Sequence, residues 1–218
     1  MNVVFDLGAV LIGWEPAKLL QAHFPERTPT ADSAEALGRA FFRHEDWRDF
    51  DGGIRSVEDV ATCTAERLSL PLERVERMLF TLGDALQPIP ASIELLDRLR
   101  GLRAGNDRLR LFYLSNMPAP YARSLERRMP FFEWFDGGIF SGDVKRTKPD
   151  GEIYALLAWR HDLRPEQTLF IDDTAANVEA ARALGWHAIH CTSPAALGAQ
   201  IERYLPAGRG LDARVTDR

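Results

Sequence analysis

Cysteine is nearly absent from this chain, which has only Cys63 and Cys191. Two residues so far apart form no Cys-x-x-Cys pair, and they are too few for a disulfide scaffold or a structural zinc site. No run of about 18 apolar residues occurs, so no membrane-spanning helix is expected. The first residues lack a basic segment followed by an apolar stretch and a cleavage site, so no secretory signal is expected and a cytoplasmic location is the default. Positive charge is also short: 27 Lys and Arg stand against 32 Asp and Glu, a formal charge of −5. That balance favours solubility and gives no electrostatic reason to bind nucleic acid or an anionic membrane. Histidine is scarce, and His23, His161, His187 and His190 show no partner pattern. No internal repeat is visible; Asp-Gly-Gly recurs at Asp51 and Asp136 but is too short to count.

What is present is enough for a substantial core. The 218 residues are 45% apolar and 10% aromatic, sufficient for one large domain or a core with a smaller insert. Residues 2–6, 109–114, 168–171 and 186–190 are near-continuously apolar, and 138–140 is a weaker fifth run. Such runs read as parallel strands covered on both faces. Helical spacing lies between them: Ile93, Leu96, Leu99 and Leu102 recur every three or four residues, and 153–159 and 178–184 behave alike. Gly185 stands where the last of these helices stops. Strand alternating with helix predicts an α/β fold, a doubly wound parallel sheet.

Residues 16–86 carry no strand pattern and read as four helices, marked by Leu19/Leu20/Phe24, Leu37/Ala40/Phe41, Val57/Val60/Leu68 and Val75/Met78/Leu82. Ser56 is the expected N-cap of the third. The expected organisation is a core of residues 1–15 and 87–205, an α-helical insert at 16–86, hinges at 12–15 and 87–90, and a frayed tail at 206–218.

Ligands of open α/β sheets bind at the carboxyl ends of the strands. Asp6 follows the first strand, Ser115 and Asn116 the second, Lys148 the weak third, and Asp172 and Asp173 the fourth. Each alone has an ordinary structural explanation. Asp6 suits a turn, Ser115, Asn116 and Asp173 suit helix caps, Lys148 suits solvent before a helix, and Asn177 suits a surface. So many chemistry-bearing residues at one sheet edge are better explained as a site.

The segments FDLGAVL, LFYLSN, TKPDGEIY and LFIDDTAANVEAARALG resemble, in order and spacing, the four motifs of the haloacid dehalogenase superfamily. The chain is most similar to its helical-cap phosphatases, the group that includes α-D-glucose-1-phosphate phosphatase. The resemblance implies a Rossmann-like core with a mobile helical cap. It implies Asp6 as the nucleophile that forms an aspartyl-phosphate. It implies Mg²⁺ held by Asp6, the Gly8 carbonyl and Asp173, with Asp172 behind them or sharing directly. Lys148 then screens Asp6 from the phosphate, Ser115 and Asn116 hold phosphate oxygens, and Asn177 orients Asp173 or Ser115.

Gly8 departs from that pattern, because most phosphatases of the superfamily carry a second Asp there to protonate the leaving oxygen and activate water. The glucose-1-phosphate phosphatases also have Asp-Leu-Gly, so glycine alone does not imply a dead enzyme. Ala9 replaces a more usual glycine. Three functions follow: a Mg²⁺-dependent phosphomonoesterase on a small phosphorylated metabolite such as a sugar phosphate, acting as a monomer or homodimer; a 2-haloacid dehalogenase, which needs no proton donor but leaves Asp172 and Asp173 unexplained; and a non-catalytic relative, which the retained motif residues disfavour. Arg43, His44, Trp47 and Arg48 of the insert are candidates to face substrate, although most of that segment reads as insert core and surface charge. Gly52 and Gly53 are candidates for a loop over the site.

Overall fold

The computed structural model of the protein describes residues 1–103 and 109–205. Its chain begins with β1 (Asn2–Phe5) and then runs through five helices: α1 (Pro16–His23), α2 (Ala31–Phe42), α3 (Glu45–Asp51), α4 (Val57–Leu68) and α5 (Leu72–Ala85). After α6 (Pro90–Arg103), strand and helix alternate: β2 (Arg110–Ser115), α7 (Ala119–Arg128), β3 (Gly137–Phe140), α8 (Ser141–Val144), α9 (Gly151–His161), β4 (Thr168–Asp172), α10 (Ala175–Ala183), β5 (His187–His190) and α11 (Leu197–Glu202).

The five strands lie in the order β3-β2-β1-β4-β5, and every pair is parallel. Their near-continuous apolar runs follow from this. Val3 and Phe5 face one hydrophobic cluster with Leu95, Leu96 and Leu99 of α6, while Val4 faces the other with Ile153, Tyr154 and Leu157 of α9. Both sides of β1 are therefore dry, and neither can carry a polar residue cheaply. The strand order reverses between β1 and β4, which opens a crevice beyond their carboxyl ends. In register, Phe5 pairs with Tyr113 on one side and Ile171 on the other, so Asp6 and Asp172 leave the sheet at one level.

The insert holds five helices where apolar spacing predicts four. The extra one, α3, is seven residues long, too short to show a period, and starts from a His44 side chain that accepts the Asp46 N–H. Ser56 does cap α4, in a reciprocal box with Asp59. The two segments where hinges are expected run side by side: Gly13 N–H donates to the Gln87 carbonyl and Ile89 N–H to the carbonyl of Leu11, just before the first segment, both at 2.8 Å. The expected tail at 206–218 lies outside the described residues. Among those residues, no helix is long and apolar enough to cross a membrane.

Candidate active site

Asp6 is the first residue past β1. Its N–H still donates to the Ile171 carbonyl at 2.8 Å, and one carboxylate oxygen accepts the Leu7 N–H at 2.7 Å. Beyond it the chain doubles back, with the N–H groups of Leu11 and Ile12 both donating to the Leu7 carbonyl at 2.8 Å. Ala9 takes the left-handed conformation (φ 56°) that a glycine would adopt more easily, so the turn expected of a glycine survives with alanine.

Lys148 binds both strand ends. Its Nζ lies 2.9 Å from Asp6 Oδ1 and 2.6 Å from Asp172 Oδ2. Burial opposes its charge, but the Asp172 and Asp6 carboxylates outweigh that and hold its pKa above the ordinary lysine value. Asp6 is pushed up to about 7, by burial first, with Lys148 opposing and Asp172 and Asp173 adding like-charge repulsion. The lysine is thus a permanent cation in a nest of acids, not a solvated side chain.

The paired acids differ. Asp172 is wholly buried, and both its oxygens are engaged: Oδ1 accepts the Thr174 N–H at 2.8 Å, Oδ2 accepts Lys148, and the Asn177 amide reaches both at 3.0 and 3.1 Å. Asp173 is half-exposed at the cavity wall, with the Thr174 hydroxyl 3.4 Å away. Burial and neighbouring Asp172 raise its pKa. Oxygens of Asp6, Asp172 and Asp173 all lie within 4.8 Å of one another, a donor set suited to a hard divalent cation. Asn177 meets Asp172, not Asp173 or Ser115. The N-cap position of α10 falls to Thr174 and not to Asp173.

Ser115 is buried and lines the same cavity. Asn116 lines it too, but its side chain is committed to the Lys148 backbone: Oδ1 accepts the N–H at 2.8 Å and Nδ2 donates to the carbonyl at 2.9 Å.

The cavity encloses about 510 Å³ between the strand ends and the insert. Its core wall is polar: Asp6, Ser115, Lys148 and Asp173. Opposite them, Trp14, Phe42, Trp47, Leu82, Met117 and Tyr121 supply apolar and aromatic surface, interrupted by the charged insert residues Glu35, Arg39, Arg43 and Asp51. Of the four insert residues singled out by sequence, Arg43 and Trp47 line the cavity, His44 caps α3, and Arg48 is not in the wall. Sequence reasoning passed over Asp51, the last residue of α3, which reaches the cavity beside Asp6 and Lys148. The available signal was its place beside Gly52 and Gly53, the glycines expected to form a loop over the site. Gly53 (φ 64°) packs where a Cβ would stand 2.5 Å from the Gly142 carbonyl oxygen, so this glycine makes one close contact between insert and core.

A family model described as haloacid dehalogenase-like hydrolase matches residues 3–185. The chain is 28% identical over 204 residues to the sesquiterpene phosphatase astK of Aspergillus oryzae, covering 93% of this chain and 95% of that protein. It is 32% identical over 102 residues to a phosphorylated carbohydrates phosphatase of Thermotoga maritima, but that match covers only 44% of this chain and 47% of the relative. In fold it resembles the crystal structure of a HAD family enzyme from Bacteroides thetaiotaomicron in complex with magnesium and inorganic phosphate, at TM-score 0.65 and 18% identity over 86% of this chain and 92% of the other.

Proposed function

The chain belongs to the haloacid dehalogenase-like hydrolases, and we propose that within that family it is a Mg²⁺-dependent phosphomonoesterase that works through an aspartyl-phosphate on Asp6. The observation that carries this reading is the acid cluster: Asp6, Asp172 and Asp173 with oxygens inside 4.8 Å, held around buried Lys148 at the switch point of a parallel sheet. Halide displacement would give Asp172 and Asp173 no work, and a non-catalytic relative would have no need of the whole set.

Mg²⁺ would be held by Asp6, Asp173 and the Gly8 carbonyl, with Asp172 behind them, and when bound it supplies positive charge against the incoming phosphoryl oxygens. The chain's own residues do the rest. Lys148 screens the Asp6 carboxylate from the phosphate dianion and keeps Asp6 aimed at phosphorus. Asn116 and Asn177 position Lys148 and Asp172. Ser115 receives a phosphate oxygen. Asp6 then forms the O–P bond as the ester oxygen leaves, and water later cleaves that bond to return the carboxylate.

The insert at 16–86 acts as a cap on the core formed by 1–15 and 87–205. Trp14, Phe42 and Leu82 favour a small phosphorylated metabolite with an apolar organic part, while Glu35, Arg39 and Arg43 of the same wall offer partners to any polar groups it carries. The sesquiterpene phosphatase match points the same way. The site is complete within one chain, and we place the protein in the cytoplasm.

The test is a turnover screen of isoprenoid, aryl and sugar monophosphates with and without Mg²⁺, with Asp6→Asn as control. Mg²⁺-dependent phosphate release that is lost in Asp6→Asn is expected, with isoprenoid esters ahead of sugar esters. No release from any monoester would sink the phosphatase reading.

A further inference from the structure

We propose that Asp51, delivered from the insert, is the proton donor and acceptor that the core lacks at Gly8. The inference rests on the phosphomonoesterase reading. Displacement of an alkoxide by Asp6 needs a proton for the leaving oxygen, and hydrolysis of the aspartyl-phosphate needs a group to take one from water. The core offers nothing for this work. Asp6 is the attacking group, Lys148 is locked between two carboxylates, Asp172 is buried and fully hydrogen-bonded, and Gly8 has no side chain. Glu35 at the cavity edge is exposed and paired with Arg39, and the Tyr121 hydroxyl is spent on the Leu79 carbonyl at 2.7 Å. With Asp173 given to the metal, Asp51 is the remaining carboxyl group of the cavity wall among the described residues.

Its placement is built rather than incidental. Asp51 ends α3, one turn after Trp47, and both side chains line the cavity. The Ser141 hydroxyl donates to the Asp51 carbonyl while accepting the Met117 N–H at 2.8 Å, which ties the residue to the loop after β2. Gly53 then presses the segment onto Gly142. The carboxyl group is thus carried by the insert into the cavity that Asp6 and Lys148 line from the core.

Burial, ahead of the attraction of Lys148 and the repulsion of Asp6, pushes the Asp51 carboxyl up to about 8, so it holds its proton at neutral pH. The neighbouring elements add little else. Tyr121 on α7 stays protonated, Asp143 on α8 is paired with Arg123 at 2.6 Å, and Arg67 on α4 is paired with Asp46 at 3.3 Å.

The step balances. As Asp6 Oδ bonds to phosphorus and the P–O(alkyl) bond breaks, the Asp51 proton passes to the alkoxide and an alcohol leaves. In the second half, the Asp51 carboxylate takes a proton from the attacking water, the Asp6–phosphorus bond breaks, and inorganic phosphate departs with Asp51 protonated again.

The experiment compares the parent protein, Asp51→Asn, and Asp51→Asn combined with Gly8→Asp, on an alkyl and a 4-nitrophenyl phosphate at saturating Mg²⁺ across pH. A Cβ at Gly8 meets only the Trp14 Cβ, at 3.9 Å, in a backbone conformation open to other residues, so the second change is sterically tolerated. Asp51→Asn should lower alkyl-ester turnover about 10²–10⁴-fold and nitrophenyl turnover far less, because nitrophenolate leaves unprotonated. It should also remove the alkaline fall in alkyl-ester rate, and Gly8→Asp should restore part of that rate. Equal losses on both esters with the alkaline limb kept, or no loss at all, would overturn the proposal while leaving the phosphatase reading intact. A measurement on the parent alone guards against a misfolded variant: rates across esters of rising alcohol pKa should decline shallowly, and a steep decline would equally overturn the proposal.

Discussion

Asn116 grips the backbone of Lys148 at two points, accepting its N–H at 2.8 Å and donating to its carbonyl at 2.9 Å. The residues are 32 positions apart, yet this clamp fixes where the lysine leaves the chain. The ammonium then falls between Asp6 and Asp172 with almost no exposure. An amide at the end of β2 thus places a cation against the ends of β1 and β4.

Lys148→Met tests the electrostatics of that arrangement. Removing one partner of a buried ion pair costs about 3–5 kcal/mol, because the other charge is left uncompensated. Here two carboxylates lose their cation. Urea denaturation at neutral pH should show a lower midpoint with an unchanged slope, and turnover should vanish. A midpoint equal to the parent's would mean that Lys148 carries no stabilising charge.

Asp173→Asn tests the division of labour between the paired acids. Asp172 is saturated with hydrogen bonds and Asp173 faces the cavity. The variant should fold with the parent's thermal midpoint in EDTA but lose the stabilisation that added Mg²⁺ gives the parent. Asp172→Asn should instead lower stability without metal. If Asp173→Asn keeps the full Mg²⁺ shift, Asp172 is the direct ligand.

Gly53→Ala tests the docking of insert on core. The residue sits at φ 64°, and an added Cβ would lie 2.5 Å from the Gly142 carbonyl oxygen. The left-handed conformation alone costs about 1–2 kcal/mol in a residue with a Cβ. Lower stability and a lower kcat/KM are expected together. Gly101, with open space around it on α6, is the control. Gly101→Ala should leave activity alone and stabilise by about 0.5–1 kcal/mol.

Asp51→Asn also has a signature in stability, separate from turnover. Folded Asp51 titrates at about 8, while its ordinary value is 3.8. Between those values the folded state keeps a proton that the unfolded chain has released. The stability this group contributes is therefore full below the lower value and is lost as pH rises through the upper one. Asparagine has no such proton. Thermal midpoints of parent and variant should differ little in acid, and the variant should gain on the parent as pH climbs. A difference that stays constant from acid to alkaline pH would show that Asp51 titrates normally.

Much of this protein is determined by sequence alone, and the reason is local. Buried parallel strands must be apolar on both faces, so Val3, Val4 and Phe5 announce β1, and Asp6 stands out because an acid cannot continue such a run. The same contrast exposes Ser115, Asp172 and Asp173 at the ends of β2 and β4. Gly8 is legible as an absence, since a missing side chain needs no fold to be noticed. Tertiary structure alone decided the rest, because it depends on contacts between residues far apart in the chain. Nothing near Asp172 or Asp173 says which is sealed in; Lys148 and Asn177 do that from other elements. Nothing near Asn116 says that its amide is spent on Lys148. Asp51 lies at the end of a seven-residue helix too short to show a period, so its acid carries no pattern until Ser141 and Gly142 fix the segment against the core. The core's chemistry is written at strand ends, where burial forces a pattern, whereas the insert's contribution exists only once two separately patterned layers meet.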